Sequence, residues 1–195
     1  MRVRAVTTDT AGGMPSLERT ALLVVDVLSS YEHEDAEPLR RSVEERLPRM
    51  EELIADARER EVLTVYVNDN HEDWTQDRHT LMETLSGGEH ARLVEPLAPR
   101  DDVPFITKGR HSIFWETPLA YLLGRSGVDH VVLCGQVTEQ CILSSRLRRI
   151  RHFEVTVPSD ACATIDTELE AAALQMMERN MHARITDTAH AFDLS

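Results

Sequence analysis

The chain has 195 residues, of which 42% are hydrophobic and 28% are charged, values typical of a single globular domain. Its formal net charge of -13 at pH 7 argues against a nucleic-acid partner, because proteins bind phosphates through clustered Lys and Arg. No apolar run approaches the roughly 20 residues that a membrane helix requires, so we expect no membrane partner either.

The N-terminal residues 1–19 contain no apolar segment of the kind that a signal peptide carries. We interpret them as a leader that precedes one domain over residues 20–195, and we expect a cytoplasmic protein. Three cysteines, an odd number, argue against a disulfide framework. A short basic cluster predicts a solvated helix face or a subunit contact; its members are Arg146, Arg148, Arg149 and Arg151.

Six apolar segments of strand length alternate with segments of helical periodicity, a pattern typical of an α/β fold. The predicted strands cover residues 21–27, 62–67, 103–107, 130–134, 153–157 and 183–186. Several of these segments are apolar at successive positions, as expected for parallel strands that helices cover on both faces.

Between the strands, the spacing of apolar residues predicts a long amphipathic helix over 39–57, broken or kinked near Pro48. A second helix is predicted from the cap Thr117 to Gly127. The segment 68–100 has no strong strand, and we predict two loops there with a short helix over 80–85 between them.

The capping-box pattern of Asp166, Thr167 and Glu170 predicts the start of another helix. This helix would carry the apolar residues Leu169 and Ala173.

Three side chains follow predicted strands at the edge where open parallel sheets bind ligands. Asp26 ends the first strand, Lys108 follows the third, and Cys141 follows the fourth at the start of a helix predicted over 141–150. Unpaired amides at a helix N-terminus and a nearby ammonium favour a thiolate, which predicts a nucleophilic Cys141. The alternative is a buried apolar role for this thiol, and we predict that role for Cys134 and Cys162.

The segments ALLVVDV, TKGRHSIF and VLCGQVTEQC, in this order and at these distances, resemble the isochorismatase-like cysteine hydrolase superfamily. Its members include nicotinamidases, N-carbamoylsarcosine amidases and ureidoacrylate amidases. The resemblance runs from about residue 20 to residue 188. It implies a three-layer doubly wound fold with a six-stranded parallel sheet, a homodimer or homotetramer, and a catalytic triad of Asp26, Lys108 and Cys141.

The same resemblance implies a cysteine hydrolase that cleaves a small amide or ureide C–N bond through a thioester. It also implies a cis peptide that does not involve proline, which we place between Val137 and Thr138, and an oxyanion site made by backbone amides near Thr138 and Cys141. The residues after Asp26 depart from the family pattern: Leu28 replaces a polar side chain, which predicts a more apolar pocket edge. Gln136 and Glu139 are further departures, and the substrate stays open.

Several residues near the triad are predicted to line a substrate pocket: Tyr31, Asn68, Asn70, Trp74, Phe114 and Trp115. For the aromatic residues after Lys108, packing in the core or against another subunit is the alternative to a role in the pocket. The same alternative applies to His111. Asp69 and His71 have the Asp-x-His spacing of metal-binding nicotinamidases, and His79 or His90 offers another imidazole for zinc or manganese. Since the segment YVNDN resembles a metal-free branch of the superfamily, we expect no cofactor.

Three alternative functions remain open or are disfavoured. A metal-assisted amidase of the nicotinamidase type and a catalytically silent binding or assembly protein are both compatible with the motifs. A nucleotide-binding oxidoreductase is disfavoured because no G-x-G-x-x-G follows the first strand. Isochorismatase itself normally cleaves a vinyl ether without this cysteine, so Cys141 favours acyl transfer.

Overall fold

A computed structural model of the protein describes residues 16–70, 73, 75, 77–147 and 153–194. The first 15 residues of the predicted leader lie outside this part of the chain, and its last residues form the 3-10 turn Leu17–Arg19. Residues 148–152, which include Arg148, Arg149 and Arg151 of the basic cluster, also lie outside the described part of the chain. Within the described ranges, no helix combines the length and the apolar composition needed to cross a bilayer.

Seven parallel strands form one sheet, which confirms the predicted fold class. The strands are β1 Thr20–Val25, β2 Leu63–Asp69, β3 Phe105–Lys108, β4 His130–Gln136, β5 Glu154–Pro158, β6 Cys162–Ala163 and β7 Arg184–Thr186. Their order in the sheet is β3-β2-β1-β4-β5-β7, and the two-residue strand β6 pairs with β4. All of β1 and β4 is buried, as two central strands covered on both faces should be.

Helices cover both faces of the sheet and give three layers. They are α1 Ala36–Glu59, α2 Arg78–Ser86, α3 Ala91–Val94, α4 Leu119–Arg125, α5 Leu143–Leu147 and α6 Thr167–Met181. Alternate residues of β1 point to opposite sides, so Leu22 and Val24 join one apolar core while Leu23 and Val25 join the other. The first core packs against α1, α2 and α3, and the second against α4 and α6.

The structure differs from the sequence predictions at three places. Pro48 does not break α1, which continues for 24 residues because buried residues on both sides of the proline, such as Val43 and Met50, pack against the same core. The segment 68–100 contains α3 and a 3-10 turn in addition to the predicted short helix. The strand β6 was not predicted, because two residues are too few for a periodicity to appear.

A close approach between β1 and β4 depends on Gly135. This residue pairs with Val25 and has φ +118°. The Cβ atom of any other residue at this position would lie 2.0 Å from the carbonyl oxygen of Val25. The two central strands therefore approach each other closely at the end that carries Asp26 and the turn toward Cys141.

Candidate active site

Three side chains from distant parts of the sequence meet at the carboxyl edge of the sheet. Nζ of Lys108 lies 2.8 Å from Oδ2 of Asp26 and 3.6 Å from Sγ of Cys141. The Lys108 side chain is fully buried, and Cys141 is 7% exposed. The structure thus brings together an acid, an amine and a thiol at the edge where the sequence predicted them.

Backbone geometry fixes the carboxylate of Asp26. This residue has φ 53°, a left-handed conformation that aspartate tolerates better than most residues. The amide of Asp69 donates to Oδ1 at 2.7 Å, and the side-chain amide of Gln136 donates to the Asp26 carbonyl oxygen at 2.6 Å. Oδ2 is then the oxygen that faces Lys108.

Lys108 is a fixed cation between two carboxylates. Besides Asp26, it contacts Oδ2 of Asp69 at 3.2 Å. Burial alone disfavours the ammonium, but the negative charge of Asp26 and the neighbouring Cys141 and Asp69 outweigh this effect and raise the pKa of Lys108 to about 12. Lys108 therefore stays charged at neutral pH.

The helical segment that carries Cys141 begins at Thr138, three residues before the predicted start. Cys141 is the fourth residue of a π-helical turn, Thr138–Ile142, which continues directly into α5. Burial raises the pKa of this thiol and the charge of Asp26 raises it further, against the lowering effect of Lys108. This upward shift favours the neutral thiol, so attack on a substrate requires a base.

The pKa of Asp26 is also shifted upward. Burial is the main cause, and the ammonium of Lys108 together with the hydrogen bond from the Asp69 amide opposes it. A carboxylate with a raised pKa holds a proton more strongly than an exposed one, which makes Asp26 a better base for a buried thiol.

The cis peptide lies one bond earlier than predicted. It joins Gln136 and Val137, whereas the prediction placed it between Val137 and Thr138. The reason is that β4 extends to Gln136, two residues beyond the predicted strand end, so the change in chain direction begins there. Val137 is 7% exposed, and Thr138 is buried with its hydroxyl donating to the carbonyl of Ala163 at 3.0 Å.

Glu139 attaches the π-helical turn to the segment before α6. Its carboxylate accepts hydrogen bonds from the amides of Ile165 and Asp166 at 2.9 and 3.1 Å, and from the hydroxyl of Thr164 at 2.8 Å. The first turn of a helix leaves backbone N–H groups without helical partners, so the turn that begins at Thr138 offers donors beside the thiol.

A cavity of about 510 Å³ opens beside Lys108. Its lining residues are Asn70, Thr107, Lys108, Gly109, Arg110, Trp115 and Glu116. Two of the predicted substrate contacts, Asn70 and Trp115, therefore line this cavity. Trp74 lies outside the described residues.

The other predicted substrate contacts that the structure describes have partners within the protein. Asn68 exchanges two hydrogen bonds of 3.0 Å with the backbone of Leu28, which ties β2 to the chain after β1. Phe114 stacks on Phe153 with ring centroids 6.2 Å apart. Tyr31 is buried, and its hydroxyl donates to Oε1 of Gln136 at 3.4 Å, so it supports the residue that positions Asp26.

The predicted metal ligands have other partners. Asp69 faces the ammonium of Lys108, and the ring nitrogens of His90 lie 3.3 and 3.5 Å from Nη1 of Arg40. His71 lies outside the described residues, and His79 lies on the exposed side of α2. In the part of the chain that the structure describes, no three His, Cys, Asp or Glu side chains are grouped as a metal site would need.

Sequence reasoning missed the roles of three residues. Asp69 and Lys108 are register partners on β2 and β3, so their adjacency was implicit once the strands were known to be neighbours. Nδ1 of His111 lies 3.6 Å from Sγ of Cys141, and no spacing rule relates these two positions. Gln136 sits at the last position of β4, where only the turn geometry directs its side chain to Asp26.

Known proteins resemble this chain over most of its length. Residues 20–190 match the family described as Isochorismatase domain. An uncharacterized isochorismatase family protein of Bacillus subtilis is 30% identical over 167 residues, covering 85% of this chain and 92% of that protein. Maleamate amidohydrolase of Pseudomonas putida is 28% identical, covering 74% and 71%. The crystal structure of a nicotinamidase from Staphylococcus aureus shares the fold, with a TM-score of 0.65, 21% identity and coverage of 87% and 99%.

Proposed function

The chain belongs to the isochorismatase family, and we propose that it is a cysteine hydrolase of small amide or ureide C–N bonds. The observation that carries this proposal is the contact of Lys108 with both Asp26 and Cys141 in a buried site, beside a cavity that Lys108 also lines. The names of two similar proteins, a maleamate amidohydrolase and a nicotinamidase, support an amide substrate.

The reaction begins with proton transfer from Cys141 to Asp26. The thiolate then attacks the carbonyl carbon, and the backbone amides near Thr138 and Cys141 stabilise the oxyanion. The C–N bond breaks as a proton is transferred to the nitrogen, the amine or ammonia leaves, and a thioester remains on Cys141. Water attacks this thioester and returns one proton to the group that protonated the nitrogen, the C–S bond breaks, and the proton on Asp26 returns to the sulfur.

The raised pKa values of Asp26 and Cys141 suit this sequence of steps. A neutral thiol is protected from unproductive reactions in the resting enzyme. When a bound substrate excludes water, the buried carboxylate of Asp26 is a strong enough base to accept the thiol proton. Lys108 keeps its charge throughout and balances the negative charge that passes between oxygen and sulfur.

The test is amide turnover across a substrate panel. Nicotinamide, maleamate, N-carbamoylsarcosine and a ureidoacrylate are followed by ammonia release, and a lactam by mass detection of ring opening. We expect turnover of at least one compound, a thioester adduct on Cys141 by intact mass, and loss of turnover in Cys141→Ala and Cys141→Ser with unchanged circular dichroism. Cys134→Ala is the matched control because Cys134 is buried in β4 away from the contacts of Lys108. Retained turnover in Cys141→Ala, or an inert wild type, refutes the proposal.

The same panel tests the metal-assisted and the silent alternatives. We propose that no metal participates, since Asp69 binds the ammonium of Lys108. Turnover should then survive dialysis against EDTA and should not rise with added zinc or manganese. Loss of turnover on chelation would restore the metal-assisted alternative, and wild type without any turnover would favour a binding or assembly protein.

Assembly and location complete the proposal. The family resemblance supports a homodimer or homotetramer, and we propose a cytoplasmic location. Light scattering on the purified protein measures the first, and a monomer at micromolar concentration would contradict it. Fractionation of the producing cells measures the second.

A further inference from the structure

We propose that His111 is a fourth catalytic residue of this site: it donates the proton that the leaving amine needs and then accepts a proton from the hydrolytic water. This inference rests on the proposed function. Its basis is the 3.6 Å distance between Nδ1 of His111 and Sγ of Cys141. Asp26 and Lys108 approach the same sulfur from the buried side, whereas His111 is exposed to solvent.

Two other groups lie near the sulfur, Lys108 and Asp26, and the charge of Lys108 excludes it as the proton donor to the leaving nitrogen. Lys108 has a pKa of about 12 and contacts two carboxylates, so it does not release a proton at neutral pH. Asp26 holds the thiol proton at this stage and is the competing donor. We assign it the return of that proton to the sulfur, and the loss of amide turnover in His111→Gln distinguishes the two acids. An imidazole carries one donor and one acceptor nitrogen when neutral and two donors when protonated, so it can give and take a proton at one position.

The position of His111 also matches the geometry of the intermediate. The carbonyl carbon is bonded to Sγ in the tetrahedral intermediate, so a group 3.6 Å from Sγ comes within hydrogen-bonding reach of the leaving nitrogen when that nitrogen points toward His111. His111 lies three residues after Lys108 in the chain and next to Arg110, which lines the cavity. Its exposed ring can also hold a water molecule against the thioester from the solvent side.

The proton balance closes without an external reagent. Protonated His111 donates to the nitrogen as the C–N bond breaks, a neutral amine leaves, and neutral His111 remains. It then takes a proton from water as the hydroxide oxygen bonds to the thioester carbon. The C–S bond breaks, the thiolate recovers its proton from Asp26, and the acid is released with His111 protonated again.

The experiment compares leaving groups in His111→Gln. The amide is the one from the panel with the highest kcat/KM, and the ester is p-nitrophenyl acetate, whose phenolate leaves without a proton. We expect the variant to lose at least about 10²-fold in kcat/KM for the amide, the range of general acid-base catalysis. The p-nitrophenolate burst, which reports acylation, should change less than threefold, while the slower phase, which reports thioester hydrolysis, falls at least tenfold.

Rescue separates proton transfer from a structural role. Added imidazole should restore part of the amide turnover in His111→Ala, with a saturating dependence, and should leave wild type unchanged. His190→Gln is the matched control, because His190 is also exposed but belongs to the turn Thr188–His190 at the far edge of the sheet, after β7.

The two proposals fail in different ways. An unchanged amide kcat/KM in His111→Gln, an equal loss of the amide reaction and the ester burst, or no rescue by imidazole would overturn the role of His111. If Cys141→Ala retains the ester burst and amide turnover, the proposed function itself fails, whatever the His111 variants do.

Discussion

Lys108 and Asp26 form a buried ion pair, with Nζ 2.8 Å from Oδ2, and the same ammonium lies 3.2 Å from Oδ2 of Asp69. One cation therefore compensates two carboxylates in a place where water reaches little of the pair: the side chain of Lys108 is 0% exposed and that of Asp26 is 12% exposed. Its removal should be costly for the fold as well as for the reaction.

Lys108→Met is expected to abolish turnover and to lower the free energy of unfolding by about 3–5 kcal/mol, the usual cost of leaving a buried charge without its partner. Urea unfolding at pH 8 measures the change. The double variant Lys108→Met/Asp69→Asn should recover part of the stability, because it removes one of the two uncompensated carboxylates. Equal stability of the single and the double variant would show that Asp69 does not share the Lys108 charge.

Asp26→Asn should separate hydrolysis from thiol reactivity. Hydrolysis falls by at least about 10²-fold because the proton acceptor is gone, yet alkylation of Cys141 by iodoacetamide becomes faster. The physical reason is that the charge of Asp26 raises the pKa of the thiol while Lys108 lowers it, so the thiolate gains when the carboxylate is neutralised. Peptide mass analysis after timed alkylation at pH 8 assigns the label to Cys141. Slower alkylation than in wild type would contradict the neutral resting thiol.

Gly135→Ala should destabilise the protein by about 3 kcal/mol or more, since it combines a backbone conformation unsuited to alanine with a contact of 2.0 Å to the Val25 carbonyl oxygen. Gly124→Ala is the matched control. No atom lies within 4 Å of a Cβ at Gly124, which belongs to α4, so this change should stabilise by up to about 1 kcal/mol. Urea midpoints of both variants decide whether the close approach of β1 and β4 is as tight as described.

Stability should fall as the pH drops below about 6.5, the ordinary value for histidine, and His130 is one cause. Burial lowers the pKa of this histidine, with Arg184 acting in the same direction and Glu154 and Asp129 against it. The unfolded chain then binds more protons than the folded one below this pH, so the free energy of unfolding rises with pH up to about 6.5 and levels off above it.

The slope attributable to one such group approaches about 1.4 kcal/mol per pH unit. In wild type, urea unfolding between pH 5 and pH 8 measures it. His130→Gln should flatten the curve over this range, because no buried imidazole then has to be kept neutral. An unchanged slope in the variant would assign the acid sensitivity to other groups.

The longer strands and several helices of this fold could be predicted from local sequence patterns. Runs of apolar residues predicted the six longer strands because strands covered on both faces need such runs, and turn and capping residues predicted α4 and α6 because their side chains satisfy nearby backbone groups. The predicted break of α1 at Pro48 was wrong because it, too, relied on a local effect. Proline disrupts an isolated helix, but the core contacts of α1 on both sides of Pro48 outweigh that effect.

By itself, then, the sequence determined the strand and helix pattern, the family, and the positions of the acid, the amine and the thiol at strand ends. Only the tertiary structure decided that Asp69 shares the charge of Lys108, that Gln136 orients Asp26, that His111 reaches the sulfur, and that burial makes the resting thiol neutral. The reason is physical: periodicity and capping depend on residues a few positions apart, whereas distances of about 3 Å and the removal of water depend on segments that are 30 to 110 positions apart in the chain and meet only when the sheet is assembled.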